Sequence, residues 1–171
     1  MSSLAAKRLH QERVNFKKKR PFGFFARYTT NKDGSQNMMK WRCGVKTEDD
    51  GPWKGATVEL TMEFSEDYPG RPPKVMLCLI EGKAAFHPNI YPSGAVCLSI
   101  LNEDKDWRPT LTVTGLLTGI KDLLHNPNPD SPAQEEAFKV YIKEPKHDEW
   151  LKKVEQQAEA IKSGKAYEGV E

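Results

Sequence analysis

Between Ala56 and Phe64 apolar and polar residues alternate without a break: Val58, Leu60, Met62 and Phe64 against Thr57, Glu59, Thr61 and Glu63. A period of two puts each set on its own face of a β-strand, so one face is wet and the other buried. Such a strand needs neighbours in a sheet and a layer over its apolar side. The neighbours are legible close by. Phe24 to Tyr28 is short and aromatic. Met39 to Lys46 alternates, with Trp41, Cys43 and Val45 on one face, and Val75 to Ile80 is apolar. Asn31-Lys32-Asp33-Gly34 and Asp50-Gly51-Pro52 read as turns. Four strands joined by short links predict an antiparallel meander.

Helices supply the covering layer. Ser2 or Ser3 can cap a helix to about Lys19, with Ala5, Leu9 and Phe16 near one face and Arg8, Arg13 and Lys17 left to solvent. Pro21 ends it. Thr112 or Thr114 can cap a second helix, whose Leu116, Leu117, Ile120, Leu123 and Leu124 form a wide apolar stripe. Asn126-Pro127-Asn128-Pro129 stops that helix. Ser131-Pro132-Ala133-Gln134 reads as the start of another, with Ser131 as cap and Gln134 closing a capping box, running to about Lys143. Pro145 starts the last helix, which sets Trp150, Val154 and Ile161 on one side. Gly164 ends it, and the tail to Glu171 is expected to be mobile. Helices first and last around a meander make the class α+β. The 171 residues are read as one domain, with about 159–171 as an extended helix end and tail.

Charge is uneven. Residues 1–20 carry Lys7, Arg8, Arg13, Lys17, Lys18, Lys19 and Arg20 against Glu12 alone, a balance of +6 that leaves −4 for the remainder of a chain whose net charge is +2. A basic arm on a mildly acidic body suits an acidic partner; a solvated helix face or nonspecific nucleic-acid contact fits the same charges. No run has the length of a membrane span, and no apolar stretch follows the N-terminal charges as a secretory signal would require. The odd count of three cysteines points to a reducing compartment without a disulfide framework. None has close Cys or His companions, so no metal site is read.

Phe86 to Ser99 breaks every periodicity. Pro88 and Pro92 fix φ and withhold donors, and Gly94 permits a turn. An amide (Asn89), a phenol (Tyr91) and a thiol (Cys97) are thus presented from irregular backbone between packed segments. Taken alone, Cys97 fits either a small buried hydrophobe or a reactive thiol. His87, beside Pro88, reads as a turn-forming structural histidine in preference to a base.

The order His87-Pro88-Asn89, Gly94-x-x-Cys97-Leu98, Trp107-x-Pro109 resembles the core of the ubiquitin-conjugating enzyme family. The resemblance extends from about Leu4 to about Ala158. Pro21-Phe22-Gly23-Phe24, Trp41, Pro52-Trp53-x-Gly55, Phe64-x-x-x-Tyr68-Pro69 and Pro72-Pro73-Lys74 precede the core in the same order, and Leu123-Leu124 and Pro127-Asn128 follow it. Within the family the chain looks most like the SUMO-conjugating branch. The basic first helix, Tyr91-Pro92-Ser93-Gly94, the run Glu103-Asp104-Lys105-Asp106 before Trp107, and Pro132-Ala133-Gln134 carry that likeness.

The resemblance implies the ubiquitin-conjugating fold and a transferase. Cys97 would take SUMO from the SUMO-activating enzyme as a thioester and pass it to a target lysine as an isopeptide bond. Cysteine suits this because a thiolate is both a good nucleophile and a good leaving group. Asn89 would donate to the oxyanion or support its loop, and Tyr91 would flank the lysine entrance. The branch places an Asp before the Pro-Ala pair to orient lysine; here Ser131 stands there, and either Ser131 by hydrogen bonding or Asp130, one residue earlier, after a local shift would take that role. Pro132 and Ala133 would meet the apolar residue of a target motif, and Lys74 and Ser93 its acid, although Ala95 replaces an expected threonine. Arg8, Arg13, Lys17, Lys18, Asp104 and Lys105 would contact noncovalent SUMO and the activating enzyme.

SUMO ligases and proteins with exposed lysines would be further partners. No cofactor, required nucleic acid or membrane is implied, and a monomer working in nucleus and cytoplasm is expected. A carrier of ubiquitin or another modifier, and a noncatalytic modifier-binding scaffold, are the alternative readings. Two departures lack an assigned role: a longer link at residues 79–85 and an extended C-terminus.

Overall fold

The computed structural model describes residues 3–167. In chain order these form α1 (Leu4–Lys19), β1 (Phe24–Thr30), β2 (Gln36–Lys46), β3 (Thr57–Glu63), β4 (Lys74–Leu77), a short 3-10 turn at Ser99–Leu101, α2 (Val113–His125), α3 (Glu135–Lys143) and α4 (Asp148–Lys162). The strands make one antiparallel sheet in the order β1-β2-β3-β4. The architecture is the expected α+β meander between helices.

The alternation dictates the core. Trp41, Cys43 and Val45 from β2 and Val58, Leu60 and Met62 from β3 are all buried, and Leu116, Leu117, Ile120 and Leu124 of α2 join the same cluster. Both α1 and α2 pack on β2. The outer face keeps the polar set, with Arg42 paired to Glu59 at 3.1 Å. Ser3 caps α1 by accepting from the Ala6 N–H at 3.0 Å, while the alternative cap Ser2 lies outside the described residues. Thr112 caps α2 through the Gly115 N–H at 3.0 Å.

Arg8 departs from expectation. Expected to be left to solvent, it instead reaches Glu12 at 2.9 Å and the carbonyls of Pro109 and Leu111 at 2.7 and 3.1 Å. Glu12, itself buried, accepts from the Val113 N–H at 3.2 Å, at the positive end of α2. The pair therefore clamps α1 to α2.

Strand limits also differ. The first hairpin is longer than its apolar residues suggest, because ladder pairing continues through Thr30 and Gln36 past a bulge at Tyr28/Thr29. β4 stops at Leu77 and not at Ile80. Its successor turns sharply through Glu81 and Gly82, both at positive φ, closing an Ile80–Lys83 bridge. At that point β3 finds another partner: the Glu59 N–H donates to the Tyr167 hydroxyl at 3.1 Å. The described end of the tail is thus packed, with Ala166 buried and its carbonyl accepting from the Glu81 N–H at 3.0 Å. The 79–85 link and the C-terminal extension hold each other. The remainder of the tail expected to be mobile, residues 168–171, lies outside the described residues.

The helix expected from Ser131 begins at Glu135 instead. The N–H groups of Ala133 and Gln134 turn to the Pro88 carbonyl at 2.8 and 3.3 Å, and the Gln134 side chain donates to the carbonyls of Ala85 and Ile90. Cap and capping box are lost because those groups tie the segment to the irregular stretch. On α4, Ala158 joins Trp150 and Val154 in the core, and Ile161 is only half-buried.

Candidate active site

Residues 86–99 are held from both sides. Phe86 exchanges hydrogen bonds with the Gln157 side chain of α4 at 2.7 and 3.3 Å. His87 is fully buried; its Nε2 lies 2.8 Å from the Leu123 carbonyl and its Nδ1 accepts from the Asn89 N–H at 3.0 Å. One acceptor and one donor partner fix a single neutral tautomer with the proton on Nε2. Burial pushes the imidazole down to about 4. It is a structural histidine, as its sequence setting suggests.

Asn89 is also fully buried. Its Nδ2 donates to the carbonyls of Asn128 and Ser131 at 2.8 and 2.7 Å, and its Oδ1 accepts from the Asn128 N–H at 2.7 Å. Of the two roles expected for Asn89, this geometry realises loop support. Both amide hydrogens are committed to backbone carbonyls, which leaves none free for an oxyanion in this conformation.

Past Asn89 the chain makes a tight turn, with the Tyr91 N–H donating to Ala95 at 2.9 Å and the Gly94 N–H to Tyr91 at 2.8 Å. Gly94 has φ 95°, and a Cβ there would sit 2.8 Å from the Leu77 carbonyl oxygen, so only glycine fits. The turn lies along the free edge of β4, through Leu77 N–H to Gly94 and Val96 N–H to Val75. The Cys97 N–H then donates to the Asn89 carbonyl at 2.9 Å, tying the thiol's backbone to the anchored loop.

Cys97 is half-buried in a groove of about 540 Å³ that it shares with Tyr91, Leu101, Asp122, Asn128 and Ser131. The other thiols are inaccessible and held protonated: burial pushes Cys43 up to about 12 and raises Cys78. Tyr91 is exposed over the groove, and its phenol is raised chiefly by the Cys97 sulfur beside it. Among the described residues no histidine lines this groove. The arrangement offers a thiol open to an acyl group without an imidazole to activate water.

The structure brings Tyr91, Cys97 and Ser131 together in the groove, with Asn89 beneath them. Lys105 lines the groove as well, whereas Asp104 and Asp130 do not. Asp130 is exposed, and its N–H is held by Asn128 Oδ1 at 3.0 Å. Ala133 is anchored beside Pro88, with Pro132 exposed next to it. Lys74 opens β4 opposite Glu63, and Ser93 is exposed in the turn that borders that strand. Lys17 and Lys18 are exposed on α1; Arg13 and Lys17 border a concave surface shared with Arg20 and Arg27. Sequence reasoning missed Asn128 as a partner of Asn89, and missed Asp122 in the groove. No local pattern signals a contact between positions so far apart in the chain.

Residues 8–158 match the family model described as ubiquitin-conjugating enzyme. The chain is 47% identical over 158 residues to the Sumo-conjugating enzyme ubc9 of Dictyostelium discoideum, covering 92% of this chain and 96% of that one. It is 44% identical over 158 residues to the SUMO-conjugating enzyme UBC9 of Caenorhabditis elegans, covering 92% of each. It is 46% identical over 144 residues to the SUMO-conjugating enzyme SCE1 of Arabidopsis thaliana, covering 84% of this chain and 88% of that one.

Proposed function

The chain belongs to the ubiquitin-conjugating enzyme family, and we infer that it is a SUMO-conjugating transferase. The observation that carries its chemistry is the contrast among the thiols. Cys97 alone opens to a groove, while Cys43 and Cys78 are buried. Cys97 accepts the C-terminal acyl group of SUMO from the activating enzyme. An amine of a target lysine then attacks the thioester carbonyl, a C–N bond forms, and the C–S bond breaks with its electron pair leaving on sulfur.

The neighbours divide the work. Asn89 fixes the loop below the thiol through Asn128 and Ser131, which supports a near-attack geometry. The Tyr91 ring borders the groove and lowers the hydration of an entering amine, favouring its neutral, attacking form. His87 cannot hydrolyse the carrier, since its imidazole is enclosed and both ring nitrogens are engaged. Lys74, Ser93, Pro132 and Ala133 are exposed or partly exposed, suited to a target's apolar and acidic side chains. Lys17, Lys18 and Arg13 form the basic surface for SUMO and the activating enzyme, where charge chiefly sets encounter rate. Action as a monomer, assistance by ligases, and residence in nucleus and cytoplasm belong to the same reading.

Charging assays with matched concentrations of SUMO, ubiquitin and their activating enzymes test the modifier. A thioester with SUMO and none with ubiquitin is expected; the reverse moves the chain to another branch.

A further inference from the structure

A carrier must receive an ammonium-bearing side chain beside its thioester, and Ser131, in the groove with Cys97, carries no charge to attract it. The groove around Cys97 nevertheless contains carboxylates, from Glu103 and Asp122. Glu103 already faces Arg71 at 3.6 Å. Asp122 has no cationic partner among the described residues; its one polar contact is the Asn126 side-chain amide, which donates to Oδ1 at 3.0 Å. That bond orients the carboxylate and leaves Oδ2 without a hydrogen-bond partner among the described residues.

The fold turns this residue towards the thiol's own segment. Gly119 lies three residues earlier, on the same face of α2. A Cβ at Gly119 would stand 2.7 Å from Ile100 Cδ1 and 3.5 Å from Leu98 Cδ2, so this face of α2 packs directly on the residues that follow Cys97. Asp122 and Asp130 are both exposed, but Asp130 lies outside the groove, with its backbone tied to Asn128.

Resting on the carrier reading above, we propose that Asp122 binds the incoming lysine and directs its nitrogen to the thioester on Cys97. Asp122 receives the ammonium form by charge. The proton passes to water or buffer before attack, and the neutral amine forms the C–N bond as sulfur departs. The amide nitrogen then loses a second proton, which the Cys97 thiolate takes up. Asp122 acts on binding and orientation and is unchanged at the end.

The test uses the full chain charged with SUMO, freed of ATP, and chased separately with L-lysine and with hydroxylamine, which is neutral at pH 7. For Asp122→Asn the lysine reaction slows by about threefold to fivefold, the scale of an exposed charge pair, with the change in KM for lysine. Charging and discharge to hydroxylamine stay at the wild-type rate, and Asp122→Glu restores most of the lysine reaction. Wild-type discharge to lysine by Asp122→Asn overturns the proposal. So does equal slowing with both nucleophiles, or a loss confined to charging, which would assign Asp122 to the modifier's tail. A loss carried by Asp130→Asn in its place overturns it too. A wild-type chain that accepts no modifier overturns the carrier reading itself, a failure the charging step records separately.

Discussion

Asn89 and Asn128 hold each other by hydrogen bonds of opposite sense: the Asn89 amide donates to the Asn128 carbonyl at 2.8 Å, and the Asn128 N–H donates to Asn89 Oδ1 at 2.7 Å. The same amide reaches Ser131 at 2.7 Å, so one buried side chain sets the floor of the groove. Asn89→Ala strips partners from an N–H and two carbonyls, and each orphaned group costs about 1–3 kcal/mol when it stays buried. A lowered melting temperature is expected. Discharge of a preformed thioester to lysine falls by about a hundredfold, as for misplaced reacting groups. Asn89→Asp does no better, because a carboxylate cannot donate to the two carbonyls. Melting curves and single-turnover discharge check this; wild-type discharge by Asn89→Ala contradicts it.

His87 makes stability depend on pH. Its folded value of about 4 lies below its ordinary 6.5, so it stays neutral in the fold where the unfolded chain takes up a proton. The associated stability is complete above pH 6.5, and it is lost as pH falls through 6.5 to about 4. Between pH 7 and pH 5 the wild type should lose about 2 kcal/mol that His87→Gln does not. Urea unfolding of both proteins at the two pH values measures the difference. Parallel losses would remove His87 from the account.

The sheet was legible because period two is written into Val58, Leu60 and Met62 and into Trp41, Cys43 and Val45, all of which are buried. The buried face of α2 was legible for the same reason. Cys97 and Tyr91 stood out by the break in periodicity, but their roles and that of Ser131 came through resemblance, since irregular backbone carries no period. What stayed hidden depends on long-range hydrogen bonds. Ser131 and Gln134 have good capping chemistry locally, yet Pro88, Ala85 and Ile90 claim the groups involved. Arg8 looks like any basic residue on an exposed helix face until Glu12 and the carbonyls of Pro109 and Leu111 are placed around it.

Arg8 and Lys17 should therefore separate in experiment. Arg8→Ala leaves Glu12 buried without its partner and costs about 2 kcal/mol or more. Lys17→Ala, on an exposed side chain, leaves unfolding within about 0.5 kcal/mol of wild type. It slows binding of SUMO or the activating enzyme and weakens the salt dependence. Denaturant unfolding and association rates over a salt series test the pair; equal unfolding midpoints for the two variants contradict the clamp.

Tyr167 closes the edge that β4 leaves open. Its hydroxyl accepts from Glu59, and the Arg42 guanidinium lies 5.8 Å from its ring centre. Tyr167→Phe removes the acceptor alone and should cost about 1 kcal/mol, while Tyr167→Ala also loses the packed ring and should cost about 3 kcal/mol or more. Amide exchange at Glu59 should accelerate in both variants, with charging unaffected. Unchanged exchange at Glu59 would show that the tail does not protect the strand.

Carriage of the modifier by Cys97 is measured by SUMO charging of wild type and Cys97→Ser, resolved with and without reductant. A reductant-sensitive adduct is expected on wild type, and at most a reductant-resistant ester on the variant. A reductant-sensitive adduct that persists in Cys97→Ser would contradict it, because the acyl group would then sit on Cys43 or Cys78.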